Sequence, residues 1–337
     1  MNLSKKDIVT LGKQVAKFDR KAPGVFKFQD KEFTKEAMNE ALRDEFNALG
    51  GDYNSYRRNK VDVFEMMQEI VDDVLPNKVI SLYGEWANTK QFAQGTKPYF
   101  VMKAGAQRAK RFITKVGLAG VYEVFKLDKK TVDIETTAYG GAAQVGLEEF
   151  LDGAVDFTEL IDIIVEGMAD AIYVEIAKAL EAIDDSLPSA NVASGTGFDA
   201  DEFDELLIIA RAYGGAPLIM TSLEFAQQII PAEGWVSDDI RNEMNSQGYV
   251  GNYKGARVIV MPQSFTDETN ATKIFPTDRA WIVPTGGNTK PVYIAMEGDT
   301  IIDEYENRDR SREIQAYKKF GVAMIATNDI CLYTDVS

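Results

Sequence analysis

The chain has 337 residues, which suggests about two domains on the usual scale of roughly 150 residues each, and its 45% hydrophobic and 27% charged content is that of a soluble globular protein. Its 53 acidic against 37 basic residues leave a net charge of −16, which argues against wholesale neutralisation of nucleic-acid phosphates. Zero histidines exclude Ser-His-Asp and Cys-His catalysis, imidazole metal sites and a histidine pH switch, and the single Cys331 excludes an intrachain disulfide or a multi-cysteine zinc site.

Met1 to Lys13 alternates polar and apolar residues and holds no apolar core of secretory length. The longest apolar run, Leu160 to Leu180, is broken by Asp162, Glu166, Asp170 and Glu175, so no membrane span is expected. The expectation is a protein made in cytoplasm that works in water.

Residues 1–60 read as an N-terminal arm with short helices. Phe33 to Leu49 carries a helical period through Phe33, Ala37, Ala41, Leu42 and Phe46 and stops at Gly50-Gly51. The polar stretch Asn54 to Lys60 follows, with Arg57 and Arg58, and a second amphipathic helix, Val61 to Val74, ends before Pro76. Residues 61–94 thus open the main body.

Between residues 95 and 137 the pattern turns to β. Gly95, Gly105, Gly117 and Gly120 punctuate extended runs, and Val121 to Leu127 and Thr131 to Thr137 alternate around the turn Asp128-Lys129-Lys130. Val132, Ile134 and Thr136 share one face, with Asp133 and Glu135 on the other. This is the signature of a long projecting β-loop, of more use to an assembling protein than to a compact one.

Residues 138–187 contain the strongest single element, a helix over 156–184. Leu160, Ile164, Met168, Ile172, Ile176 and Leu180 recur every four residues, and Asp156 with Glu159 resembles a capping box. At about 1.5 Å per residue it would be roughly 40 Å long, a spine spanning its domain. Ser186 to Phe198 reads as a linker.

An α/β unit is then expected over 188–299. It comprises a helix from Asp199 to Tyr213, a strand Pro217 to Thr221, a helix Ser222 to Ile230, and strands Arg257 to Met261, Ala280 to Val283 and Val292 to Met296. Residues 300–337 return to long β: Thr300 to Glu306 and Glu313 to Ile325 flank the charged turn Asn307-Arg308-Asp309-Arg310-Ser311, and Cys331-Leu332-Tyr333 closes the chain. That strand pair fits best beside the earlier β-loop sheet, which makes the first domain discontinuous and the α/β unit an insertion in it.

Candidate chemistry is sparse. No GxxxxGK[ST] occurs; Gly195-Thr196-Gly197 reads as a connector, and Gly286-Gly287-Asn288-Thr289-Lys290 as a surface turn rather than an anion cradle. Adjacent carboxylates such as Asp72-Asp73, Glu148-Glu149, Asp184-Asp185 and Asp238-Asp239 do not face each other across a bond, as glycosidase chemistry requires. Asp199, Asp201 and Asp204 lack the glycine and distal glutamate of a calcium loop. Cys331 reads as a buried small hydrophobe. Aromatic residues at Tyr99-Phe100 and Phe112 could stack on bases, against the overall charge. No cofactor and no catalytic or metal site is expected.

Charge is strongly segregated. From Lys97 to Gly120 there are six basic residues, Lys97, Lys103, Arg108, Lys110, Arg111 and Lys115, and no acidic one. From Val145 to Asp185 there are twelve acidic residues, among them Glu148, Glu149, Asp152, Glu159, Asp162 and Glu166, against Lys178 alone. These can be two solvated faces, or a cationic loop and an anionic helix that pair between neighbouring copies. Such complementarity steers encounter and fixes register, and a head-to-tail contact closes rings. Arg308, Arg310 and Arg312 of the last turn are candidates for a further contact between copies.

This order of parts resembles the major capsid protein of tailed bacteriophages, the Hong-Kong-97-type fold. Local text agrees: Ala216-Pro217-Leu218-Ile219-Met220-Thr221, Gly251-Asn252-Tyr253-Lys254-Gly255-Ala256-Arg257-Val258-Ile259-Val260-Met261-Pro262, and Tyr305 through Ile325. The resemblance covers roughly residues 60–337. It implies an α+β fold with an N-terminal arm, an extended β-loop (95–137), a long spine helix in a peripheral domain, and an inserted α/β axial domain (188–299). It further implies a structural protein whose copies form hexamers and pentamers of an icosahedral virion head. That head encloses double-stranded DNA without sequence-specific binding and meets a scaffolding protein, a portal and a decoration protein. Some members cross-link a loop lysine to a neighbour's asparagine; Lys103 or Lys110 fits the first role, and nothing singles out the second. Two other readings stay open, an encapsulin-type nanocompartment shell on the same fold and a metal-dependent hydrolase using Asp and Glu.

Overall fold

The computed structural model of the chain describes residues 4–17, 26–28, 31–102, 130–145, 157–212, 216–230, 238–265, 267, 269–284, 290–308, 311–324 and 328–336. Three helices open it: α1 (Lys5–Lys17), α2 (Lys35–Gly50) and α3 (Tyr53–Tyr83). Between the first two, the short strands β1 (Phe26–Phe28) and β2 (Lys31–Phe33) pair antiparallel. Thr34 caps α2 by accepting the Ala37 N–H at 3.3 Å, and Asp52 Oδ1 caps α3 by accepting from Asn54 and Ser55 at 3.0 and 3.1 Å.

Two differences from expectation lie here. The polar stretch 54–60 and the helix expected to stop before Pro76 form one helix of 31 residues, about 46 Å long. Proline in a helix interior costs about 3 kcal/mol. Here Met67, Ile70, Val71, Val74 and Leu75 before it and Val79 after it are all buried in one core, and that burial outweighs the break. Helices α1 and α2 also do not stand clear as an arm. Ile8, Val9, Leu11 and Val15 of α1 and Met38, Leu42 and Phe46 of α2 are buried in the same core as α3.

A four-stranded sheet has the order β3-β12-β13-β6, from β3 (Ala87–Phe92), β12 (Val292–Glu306), β13 (Arg312–Met324) and β6 (Thr137–Val145). The hairpin β12–β13 is longer than expected, because Val292 to Asp299 belongs to it rather than to the α/β unit. The reason is a bulge. Glu297 pairs with Lys319 and Ile301 with Tyr317, so Gly298, Asp299 and Thr300 all stand opposite Lys318. Gly298, at φ +67°, imitates a turn in sequence while the strand runs through. The insertion keeps parity, so Met296, Ile302, Ile314, Ala316 and Phe320 all reach the same core. Outside this sheet, β4 (Tyr99–Met102) pairs antiparallel with β5 (Lys130–Asp133). The expected strand Val121 to Leu127 lies outside the described residues.

Helix α4 (Phe157–Glu181) is the expected spine, about 37 Å long. Leu160, Ile161, Val165, Met168, Ala169, Ile172, Tyr173, Ile176, Ala177 and Leu180 are buried along it. It rests on β6 and β13 and runs to the second sheet, where Tyr173 Oη donates to the Pro262 carbonyl at 2.5 Å and Asp184 meets Arg279 Nη1 at 2.5 Å and Trp281 Nε1 at 2.9 Å.

That second sheet has six strands in the order β7-β14-β11-β8-β10-β9: β7 (Val192–Gly195), β14 (Cys331–Asp335), β11 (Arg279–Pro284), β8 (Pro217–Thr221), β10 (Ala256–Val260) and β9 (Asn252–Tyr253). Alternate residues feed two cores. Leu218, Met220, Trp281, Val283 and Leu332 join the large core with α3 and α4. Ile219, Ala280, Ile282, Cys331 and Tyr333 face a second core under α5 (Ala200–Ala212) and α6 (Leu223–Ala226). Helix α7 (Asp238–Gln247) follows α6. Two expectations change here. The linker 186–198 contains the edge strand β7, tied down where Tyr333 Oη donates to the Gly197 carbonyl at 2.8 Å and accepts from Asp199 N–H at 2.9 Å. Cys331 to Tyr333, expected with the returning strands, completes this sheet instead.

The buried polar contact between α3 and the hairpin is ionic. Lys318, 2% exposed, places Nζ 2.6 Å from Asp72 Oδ1, which also accepts from Thr300 N at 2.7 Å and Thr300 Oγ1 at 2.6 Å. Removing one partner of such a pair leaves an uncompensated charge. Lys318→Met is therefore expected to lower the unfolding free energy by about 3 kcal/mol, and Asp72→Asn with Lys318→Met to recover most of it, in chemical denaturation of the full chain.

Candidate assembly surface

The base of the expected loop is β4 and β5, held down by aromatic packing. Phe100 is buried edge-on to Phe92 and Tyr293, with ring centroids 5.8 and 4.9 Å away, and Lys90 Nζ sits 4.9 Å from its centroid. Ile134 is buried beside them, and Val132 packs on the same cluster. Glu297, at the bulge of β12, accepts from Gly95 N at 2.9 Å and from Thr136 Oγ1. The Thr136 hydroxyl, with Gly95 N–H, holds its carboxyl below the ordinary value. The two chain ends of the loop are thus fixed to the four-stranded sheet.

Of the six loop cations, Lys97 is described, and it is ion-paired within its own protomer to Asp133 Oδ2 at 2.6 Å, on the surface. Lys103, Arg108, Lys110, Arg111 and Lys115 lie outside the described residues. So do Glu148, Glu149, Asp152 and Asp156 of the acidic segment, and Arg310 of the last turn. The expected acidic contact residues of the spine that are described, Glu159, Asp162 and Glu166, are exposed on α4, and Glu166 lies 3.8 Å from Lys78 Nζ.

Beside them is an apolar groove of about 320 Å³, between α4 and the strands β6 and β13. Leu160, Ile163, Ile164 and Met168 line one side, and Tyr139, Ala143, Ile314 and Ala316 the other. Ile163 is 57% exposed at its mouth. Among the described residues, strand β6 is the outer strand of its sheet. The groove was not foreseen from sequence. Its signal is the run Thr137-Ala138-Tyr139-Gly140-Gly141-Ala142-Ala143, small residues in a strand that ought to be bulky.

The last turn divides the expected contact set. Arg308 is exposed. Arg312 is buried and drops out of the surface: its guanidinium lies over the Tyr56 ring, 5.2 Å from the centroid, and pairs with Glu304. Lys60 Nζ reaches the other oxygen of Glu304 at 3.1 Å. The parity of Arg312, Ile314, Ala316, Lys318 and Phe320 carries the signal, since a strand whose alternate residues are apolar buries the charged ones between them.

The described residues contain no group of three or more metal-ligating side chains, and no helix among them is long and apolar enough to cross a membrane. The model of the family described as "SPbeta prophage-derived putative capsid protein YonB" matches residues 7–334. The chain belongs to this capsid protein family. A curated relative, the SPbeta prophage-derived uncharacterized protein YonB of Bacillus subtilis strain 168, is 21% identical over 246 residues, 69% of this chain and 71% of its own. Among solved structures, the capsid of the native GTA particle matches with a TM-score of 0.51 at 12% identity, over 76% of this chain and 90% of that one. A phage-related protein of Bordetella bronchiseptica matches at 0.50 and 14% identity, over 78% and 96%. The resemblance to phage major capsid proteins read from the order of elements holds, and the chain is a capsid-type structural protein.

In this capsid protein the Glu304 cluster has a pH signature. Burial pushes the Glu304 carboxyl up, but hydrogen bonds from Tyr56, Lys60 and Arg312 outweigh it and hold the carboxyl below its ordinary value. A depressed carboxyl contributes stability that is complete above the unfolded pKa of about 4.3 and is lost as pH falls through the folded value. Glu304→Gln is expected to melt well below the parent at pH 7, by a destabilisation of about 3 kcal/mol, with the difference shrinking as both are titrated to pH 3. Thermal melts across that range check it; a gap constant with pH contradicts the assignment.

Proposed function

We propose that this chain is the repeating tile of a closed phage head. Identical copies form hexamers and pentamers, and these tile an icosahedral shell around double-stranded DNA. Within each ring the cationic segment 97–115 of one copy lies against the acidic α4 of the next. The supporting observation is α4 itself: a helix of 25 residues, one side buried against two sheets, with Glu159, Asp162 and Glu166 on the other. A rigid anionic ridge and a segment of six cations on one chain are complementary between copies, and a head-to-tail contact of this kind closes rings.

The chain's own charge suits such a container. With a net charge of −16 its surface has little general attraction for phosphate, so enclosed DNA is held by confinement and not by grip. A scaffolding protein, a portal and a decoration protein are the further partners of this reading, and the virion is the place where the tile works.

The test is charge reversal in the loop. Arg108→Glu with Arg111→Glu should leave the melting temperature of unassembled protein unchanged while abolishing closed shells in negative-stain images. Normal shells from that double variant would remove the loop-to-neighbour contact.

A further inference from the structure

We propose that the joint between the two sheets is locked, so that the protomer turns as one rigid body, and that Asn191 and Asp184 are its clasp. The lock follows from the protomer alone; its consequence for assembly rests on the shell reading.

Two units joined by a few crossings of the chain move against each other by default, unless the surface between them is large and apolar. Here one core runs through both. Ile294, Met296 and Phe320 of the four-stranded sheet and Met220, Trp281 and Val283 of the six-stranded sheet belong to the same buried cluster, together with residues of α3 and α4. A rotation at the joint would have to drive close-packed side chains past one another. Packed cores switch between discrete arrangements and do not deform smoothly.

The crossings are pinned as well. From α4 the chain enters the six-stranded sheet through residues 182–191, and from β13 it enters again through 325–330, of which 328–330 are described. Asn191, 4% exposed, ties the two crossings together: its Nδ2 donates to the Asn328 carbonyl at 2.9 Å and to the Ile330 carbonyl at 2.8 Å. An amide has two such N–H groups, one for each carbonyl. Ile183, Leu187 and Ile330 of the same crossings are buried in the shared core. Just past the end of the spine, Asp184 accepts from Trp281 Nε1 at 2.9 Å and Arg279 Nη1 at 2.5 Å, which fastens that end to β11. Beside the remaining crossing, Lys290 Nζ donates to the Gly84 carbonyl at the end of α3; residues 285–289 of that crossing lie outside the described residues. In the proposed shell, hexamers and pentamers hold the same chain at different angles. With the joint locked, that difference is taken up where tiles meet and not inside the tile.

Native-state hydrogen exchange on the unassembled full chain tests the lock whether or not shells form. Trp281 and Ile282 of β11 and Ile294 and Ala295 of β12, on inner strands of the two sheets, should share one protection factor, because both sheets open together. Phe203→Leu in the second core and Glu304→Gln in the first unit should each lower both pairs of amides by the same factor. Asn191→Ala with Asp184→Ala should instead part the two pairs by about tenfold or more. A difference of that size in the parent overturns the lock. Equal losses at both sheets in the double variant overturn Asn191 and Asp184 as the clasp; if that variant does not fold, the parent and the two single variants still decide the lock. In a reconstruction of the shell, protomers of hexamers and pentamers should superpose over both sheets at once, and one sheet turned against the other would overturn the lock in the assembled tile. Failure of the parent to form shells overturns the shell reading and leaves the exchange result standing.

Discussion

A lysine almost wholly removed from water, Lys318, sits on β13 against Asp72 of α3, with both the backbone and the side chain of Thr300 completing the carboxylate's shell. Burying such a pair adds little to stability by itself, because desolvation cancels most of the attraction. Its value is positional. The three residues of the β12 bulge stand opposite Lys318, and one of them supplies both Thr300 donors. A hairpin slipped by one residue would turn Lys318 and Thr300 to the other face and leave the half-buried Asp72 without its cation. The ion pair therefore fixes the register of the longest hairpin in the described fold.

From that register two more carboxylates on the same strand take their places. Glu297, just before the bulge, holds Gly95 and Thr136, the two chain ends of the expected loop. Glu304, after it, gathers Tyr56, Lys60 and Arg312 at the start of α3. One strand thus pins the loop base at one end and the long helix at the other, with the ion pair between. In the proposed tile, a loop and an acidic helix that meet different neighbours need their relative positions fixed before assembly. Hydrophobic burial gives the compactness, and the polar pins give the orientation.

Elements with a single strong period were legible in the sequence. The α4 helix follows a four-residue apolar repeat, and β8 and β10 lie between turn signals. What was hidden was hidden by local signals that tertiary contacts override. Pro76 reads as a stop, yet apolar residues on both sides of it share one core. Gly298-Asp299 separates two expected strands, yet it is a bulge within one. Ser194-Gly195 reads as a linker, yet its backbone completes a sheet whose other partner is 140 residues away in sequence, at Thr334 and Asp335. Of the expected contact residues, Arg312 was misplaced because a charge near a turn reads as exposed, whereas strand parity sends it inward. The groove escaped because its defining feature is side chains that are missing.

Copies that each carry a net charge of −16 repel one another, so their association needs an account beyond complementary patches. At physiological ionic strength the Debye length is about 8 Å, and charges further apart than this are largely screened. Diffuse repulsion between whole tiles is therefore weak at the distance where they touch, whereas a cation within a few ångströms of Glu159 or Asp162 is hardly screened. Exposed pairs of that kind contribute no more than about 1 kcal/mol each. They decide which surfaces meet and in what register, and they cannot hold a shell alone. In the proposed contact the holding energy comes from apolar area covered beside the charges, at about 25 cal/mol per Å². Along α4 the described structure sets the two side by side, an acidic rim and an open apolar groove.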